Sequence, residues 1–270
     1  MIRLTKILLP IILFVVSGIQ VSAAQDYILL QSTTSTQNSG LYDYLLPIFT
    51  AETGIEVRVV AVGTGQAIRN AVNGDADVLL VHAKSAELEF VSSGNGTQRF
   101  DLMYNEFVIV GPRADPIQLE SLPDLSEALR ILSEGEAIFV SRGDDSGTHK
   151  KERELWGTVG VNPAPSDWYR ETGAGMGATL RMAIEMQAYT LTDRATWIAY
   201  GAKQDARIVF EGGDTLFNQY GIIALNPAKY PHVNVEGATK FVNWMLGPRG
   251  QALIGAYTRN GQQLFFPNAK

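Results

Sequence analysis

YILLQSTTSTQNSGLYDYLLPIFTAE, residues 27–52, holds the pattern that decides the fold. Residues 27–30 read as an apolar strand, 31–40 as a polar run and 40–52 as an amphipathic helix. Strand, short turn and helix form the repeating unit of an α/β protein. The turn also sets hydroxyls and backbone N–H groups at a helix start, where four N–H groups lack partners and the macrodipole is positive. Capping needs one Ser or Thr. Six hydroxyl residues fall within the eight positions from Ser32 to Ser39, more than a cap uses.

The same alternation runs outward through the chain. Further strands are expected over 56–61, 78–82, 105–110, 137–141, 189–192, 208–210 and 220–225. Helices are expected over 66–73, 86–92, 125–132, 148–156, 178–186, 194–200, 235–247 and 248–257. The expectation is an α/β protein with largely parallel sheets and helices on both faces. Gly-Pro and Asp-Pro punctuate FVIVGPRADP (107–116), and EGGD (211–214) makes a second break. Two crossings at these points divide the chain into a discontinuous first lobe, 25–110 with 220–270, and a second lobe, 111–219.

The beginning of the chain reads as an export signal. Arg3 and Lys6 precede the apolar run ILLPIILFVV (7–16), and small residues follow to Ala24, so cleavage after Ala23 or Ala24 fits the usual pattern. Ten apolar residues span roughly 15 Å as a helix, half of a ~30 Å hydrocarbon core, too little for a membrane anchor. With residues 1–24 removed, a soluble periplasmic protein is expected. The chain has 0 cysteines, which excludes thiol catalysis, cysteine-ligated metals and lipid attachment at an N-terminal Cys. The mature fold must rest on an apolar core, and 46% hydrophobic residues suffice for one. Its formal charge falls from −6 to near −8 without Arg3 and Lys6. No Lys/Arg stripe marks a nucleic-acid surface. An anion ligand needs a local site, because the overall field repels it.

Three more loops carry chemistry. Gly63-Thr64-Gly65 opens the helix expected at 66; Gly65 lets a ligand approach the backbone, and Thr64 can cap or bind. Ser141-Arg-Gly-Asp-Asp-Ser-Gly-Thr148 follows a strand and joins a guanidinium fork, suited to a tetrahedral oxyanion, to Ser146, Gly147 and Thr148 at a helix start. Asp144 is placed to hold Arg142. The alternative is a surface salt bridge beside a cap. Glu171-Thr-Gly-Ala-Gly-Met-Gly177 matches the dinucleotide fingerprint through Gly173, Gly175 and Ala178, with Asp193 twenty residues on. The preceding 166–172 is polar rather than a buried parallel strand, so exposed amides at Gly175 and Met176 are the simpler reading.

Enzymatic chemistry is hard to assemble. His82, His149 and His232 lack metal-site spacing, and no cofactor is indicated. Ser146 and His149 lie three apart without a nucleophile elbow. Trp168, Tyr169 and Trp197 are expected in the core or at the cleft mouth.

At these loops the chain resembles the periplasmic tungstate-binding proteins of ABC importers, over nearly all of the mature sequence. That family's Thr-Thr-Thr-Ser motif corresponds to Ser32-Thr33-Thr34-Ser35, with one Ser for Thr. Its R-G-D-x-S-G-T-H segment is similar to Arg142–His149 and its E-T-G-x-G-M-G to Glu171–Gly177. Tyr189-Thr-Leu-Thr-Asp-Arg194 and Leu216-Phe-Asn-Gln-Tyr-Gly221 match as well.

The resemblance implies a type II periplasmic-binding-protein fold, with tungstate, or also molybdate, in the interlobe cleft. It implies contacts from Thr33, Thr34 and Ser35 on one lobe and from Arg142 and Thr148 on the other. Thr64, Gly65, Ser146, Gly147 and the amides of Gly175 and Met176 join them through the helix-start argument. The implied partner is an importer's membrane permease, and delivery suits a monomer. Phosphate or sulfate binding is the alternative, and a phosphoester hydrolase using Ser146 a remote one. Hydrogen phosphate needs an acceptor such as Asp144 or Asp145, whereas tungstate, molybdate and sulfate need donors only.

Overall fold

A computed structural model describes residues 26–164 and 166–270; the signal reading of 1–24 lies outside the described residues. β1 (Tyr27–Thr33) runs parallel to β2 (Glu56–Val62) on one side and β3 (Val78–Val81) on the other. Beyond β3 come β9 (Phe217–Leu225) and then β4 (Gly96–Pro112), each antiparallel to its neighbour. The seventeen-residue β4 belongs to two sheets. Its first part, to Glu106, pairs with β9. From Phe107 onward it pairs instead with β7 (Thr190–Asp193) and β8 (Ala206–Phe210), both antiparallel. A separate parallel pair, β5 (Phe139–Ser141) with β6 (Tyr169–Glu171), is bridged to this region through Phe139 and Tyr189.

The sheets are therefore mixed, not largely parallel. The chain leaves the first sheet along β4 and re-enters along β9, and the re-entering strand lies antiparallel to both neighbours. A second correction concerns 166–172, which contains the parallel strand β6. Its polarity hid it because β6 is short: only Tyr169 is buried, while Glu171 is exposed.

Alternation along the strands places helices on both faces of each sheet. In β3, Val78 and Leu80 enter a core with Ile28, Phe49 and Phe241, while Leu79 and Val81 face Ala67, Phe90 and Ile223. In β4, Phe107 and Ile109 face Phe139, Trp156 and Leu191, while Val108 and Val110 face Met176, Leu180 and Trp197. The helices supplying these faces include α2 (Leu41–Thr53), α3 (Thr64–Val72), α4 (Lys84–Ser92), α5 (Leu125–Ser133), α6 (Gly147–Thr158), α7 (Met176–Glu185) and α8 (Arg194–Ala199). α9 (Val235–Leu246) and α10 (Pro248–Ala256) return to the first sheet, where β12 (Phe266–Pro267) pairs with β4 after the hairpin β10 (Thr258–Arg259) and β11 (Gln262–Gln263).

The polar run 31–40 is not a loop. β1 continues to Thr33, and Thr34–Ser39 forms a six-residue helix, α1. Ser and Thr are weak helix formers, so its ends hold it. Thr33 accepts at its side chain from the Thr36 N–H, and Gly40, at φ 84°, turns the chain from α1 into α2.

Candidate functional site

Four helix starts from the two halves of the fold lie close together. From the first half come α1, whose cap is Thr33, and α3, which follows Gly63. Thr33, Ser35 and Thr36 are buried and share hydroxyl hydrogen bonds, 3.1 Å from Thr33 to Ser35 and 2.8 Å from Thr33 to Thr36. Thr34 beside them is partly exposed. Ser32, first of the four-hydroxyl motif, turns away: its Oγ donates to the Leu80 carbonyl at 2.8 Å and pairs with the Tyr42 hydroxyl.

The second half contributes Arg142 on the turn between β5 and α6. Its side chain is 4% exposed. Nη2 donates to Asp144 Oδ2 at 2.5 Å, as the spacing implied, while Nε is buried with no partner among the described residues. The turn winds through two left-handed residues, Gly143 (φ 60°) and Asp145 (φ 57°), and leads into Thr148 in the first turn of α6. Thr148 Oγ1 is likewise buried and unpartnered. Two buried donors without acceptors each carry a desolvation cost of about 1–3 kcal/mol that an anion in the cleft relieves.

Other expected contacts have partners within the fold. Ser146 caps α6, accepting from the His149 N–H at 3.2 Å. Thr64 Oγ1 accepts from the Gly147 N–H at 2.9 Å, a hydrogen bond joining α3 to α6 across 83 positions. Gly65 packs directly on the Asp145 carboxylate, leaving no room for a Cβ. The Ser146 and Thr64 hydroxyls both accept in these bonds, which leaves each its own proton to donate. Met176 sends its side chain into the core with Leu180 and Trp197, so only backbone there can face a ligand. The start of α7 is tied to the arginine turn through Thr172, whose Oγ1 bonds the Arg142 carbonyl at 3.2 Å and Thr179 at 2.9 Å. Tyr169 and Trp197 lie in the core, and Trp168 packs on Trp156 rather than at the cleft.

Both acids on the turn are occupied. Asp144 Oδ1 accepts from the Ser146 N–H at 3.2 Å while Oδ2 holds Arg142. Asp145 pairs with Lys150 and, at 3.4 Å, with Arg69. The Ser146 hydroxyl and His149 are not paired as nucleophile and base, since His149 Nδ1 accepts from the Asp145 N–H at 3.1 Å.

Two features escaped the sequence reading. Glu152 lies buried beneath the arginine turn, accepting from Ser141 (2.8 Å), Tyr169 (2.6 Å) and Trp156 (3.3 Å). Burial outweighs these donors and pushes its carboxyl up to about 7. A carboxyl raised from 4.5 in the unfolded chain gives stability that is complete at low pH and lost as pH rises through about 7. Thermal melts from about pH 5 to 8 should therefore show a smaller fall in midpoint for Glu152→Gln than for the unaltered protein; parallel curves would assign the pH dependence elsewhere. The second feature is His82, at the end of β3. Its Nε2 lies 3.3 Å from Ser35 Oγ, its Nδ1 3.1 Å from Asn218 Oδ1, and its ring stacks on Tyr220 at 4.8 Å. Positions 35, 82 and 218 meet only through the fold, so no local pattern signals them.

Clustered helix starts carrying buried hydroxyls and a buried arginine, between sheets that share a strand, mark a two-lobe solute-binding protein of the periplasmic-binding class. The PBP superfamily domain matches residues 20–249. A tungstate-binding protein, TupA, of Peptoclostridium acidaminophilum is 52% identical over 93% of this chain and 89% of its own length. The solved structure of the tungstate-binding protein TupA from Desulfovibrio alaskensis aligns with a TM-score of 0.80, at 47% identity, over 91% of this chain and all of that one. That of the tungstate ABC transporter from Geobacter sulfurreducens also aligns at 0.80, with 48% identity, over 87% of this chain and all of that one. The chain belongs to this family of tungstate-binding proteins, and its fold is that of the periplasmic binding proteins.

Proposed function

We propose that this protein captures tungstate as a tetrahedral dianion in the cleft, without catalysis, and delivers it to the permease of an ABC importer. The observation that carries the reading is the pair of buried, unpartnered groups, Arg142 Nε and Thr148 Oγ1. Each is a donor with nothing to donate to, and charge-assisted hydrogen bonds from a guanidinium are about twice as strong as neutral ones. Thr33, Thr34 and Ser35 supply hydroxyls from the facing side, and the amides of Gly175 and Met176 lie on a helix start tied to the same turn. The names and close likeness of the relatives favour tungstate, with molybdate as a second ligand of the same shape.

The commitment of Asp144 and Asp145 weighs against hydrogen phosphate, which needs an acceptor for its proton. The lobes 25–110 with 220–270 and 111–219 are the bodies that close over the ligand, driven by the difference in affinity between open and closed states. The leader-like segment 1–24 fits export of a free, monomeric carrier to the periplasm. Calorimetric titration of the mature protein with tungstate, molybdate, sulfate and phosphate at about pH 7.5 tests all of this. One-to-one binding of tungstate with phosphate silent is the expected result. Phosphate binding with tungstate silent would sink the donor-only reading.

A further inference from the structure

Resting on the anion-site reading above, we propose that His82 is a positioning residue of the site: it sets the direction of the Ser35 hydroxyl and takes up a proton when the dianion binds. Three buried links lead to it and a fourth joins it to Ser35. Asp193 Oδ1 accepts from Asn105 Nδ2 at 3.3 Å, Asn105 Oδ1 from Asn218 Nδ2 at 2.7 Å, and Asn218 Oδ1 faces His82 Nδ1 at 3.1 Å. His82 Nε2 then meets Ser35 Oγ at 3.3 Å.

The direction of this relay follows from its far end. Asp193 also accepts from the Thr196 N–H (2.9 Å) and hydroxyl (2.5 Å), so its carboxylate is an acceptor throughout. Asn105 must then present its NH2 to Asp193 and its oxygen to Asn218. Asn218 in turn must present its oxygen to His82. The proton of a neutral His82 is thereby held on Nδ1, and Nε2 is a bare lone pair. Ser35 satisfies that lone pair with its own hydroxyl proton, leaving oxygen lone pairs toward the cleft. An acceptor-only dianion requires the reverse. Protonated at Nε2, His82 donates to Ser35 Oγ, and Ser35 donates to the anion.

Solvent supplies the proton, and no covalent bond other than N–H changes. The ring cannot turn aside, because Tyr220 stacks on it and Gly147 packs so near that a Cβ there would lie 2.7 Å from Cε1. The charged groups facing it are Asp193, which favours the imidazolium, and Arg142, which opposes it. Lys84, Lys150, Lys151 and Glu154 line the adjoining cavity of about 560 Å³. Burial holds the free-state imidazole below its ordinary 6.5, and a dianion beside Ser35 raises it. Affinity therefore increases as pH falls through the interval between the two values, by at most tenfold per pH unit, and is lost again as pH rises through the bound-state value.

The test is calorimetry with tungstate from about pH 6.5 to 8.5, in buffers of different ionisation enthalpy, which counts the protons taken up. The unaltered protein should take up as much as one proton per anion at the lower end. His82→Gln offers an uncharged N–H near the Nε2 position, so it should still bind but lose this uptake, while His149→Gln and Glu152→Gln keep it. Should His82→Gln fail to fold, the His82 ring resonances of the unaltered protein give the same answer by titration with and without tungstate, the bound form titrating higher. Uptake retained in His82→Gln, or ring resonances that titrate identically, overturns the proposal while leaving the binding function intact. No binding of tungstate at any pH overturns both.

Discussion

Arg142→Ala should weaken tungstate binding on the order of a hundredfold in calorimetry, with little change in the thermal midpoint of the ligand-free protein. A hydrogen bond to a charged group contributes about 1.5–3 kcal/mol, and an uncompensated buried charge costs about 3–5 kcal/mol. In the proposed binding mode the dianion lies beside Arg142, a buried cation whose Nε has no partner among the described residues. Ligand-free stability is spared because Asp144 keeps its hydrogen bond from the Ser146 N–H, and a truncated Arg142 leaves no buried cation behind. Arg142→Lys should recover only part of the loss. A point charge has no fork with which to hold Asp144 and the ligand at once. Unchanged affinity in Arg142→Ala would move the ligand to another site.

Gly147→Ala should cost ten- to a hundredfold in affinity by a different route. A Cβ on Gly147 would stand 2.7 Å from His82 Cε1 and 2.8 Å from Thr64 Oγ1, contacts made only while α6 lies against the first half of the fold. Overpacking of this kind costs about 1–3 kcal/mol. It falls on the closed state alone, so the ligand-free melting midpoint should hold while affinity drops and small-angle scattering with tungstate shows a more open molecule. Gly157→Ala, further along the same helix, is the matched control: a Cβ there meets nothing within 4 Å, and affinity should stay within about twofold. Equal binding by Gly147→Ala and the unaltered protein would mean that the ligand does not require this approach.

The strand-to-helix turns of the proposed site were legible because they are local. The hydroxyl run from Ser32 and the segment Arg142–His149 each sit at a strand end where a helix begins. Local pattern could not say which hydroxyl does what. Ser32 faces Leu80 and Tyr42, and Thr64 latches to Gly147, because those directions depend on strands and helices tens of residues away. The helix α1 was hidden by residues of poor helix propensity held at both ends by caps. His82, Asn105, Asn218 and Asp193 were hidden more deeply: their link spans 136 positions between His82 and Asn218 alone, and each residue taken singly is an ordinary polar side chain in or beside a strand. The mixed sheet was missed for the same reason, since an apolar run does not reveal its direction.

The place of β9 also sets the order in which the molecule can be made. β9 lies between β3 and β4 in the first sheet, yet it follows all of the second half in the chain. As the polypeptide emerges N-terminus first, β1, β2 and β3 are present early with an open edge, and β4 has no partner of its own sheet. The residues between β4 and β9 have their own cores and β4's second half to pair with, and they can settle while that edge waits. Contacts of long sequence separation form slowly, and unpaired edges invite association. The sheet of β1 is the last to be completed, and the time its edge stays open is when the folding chain most needs protection.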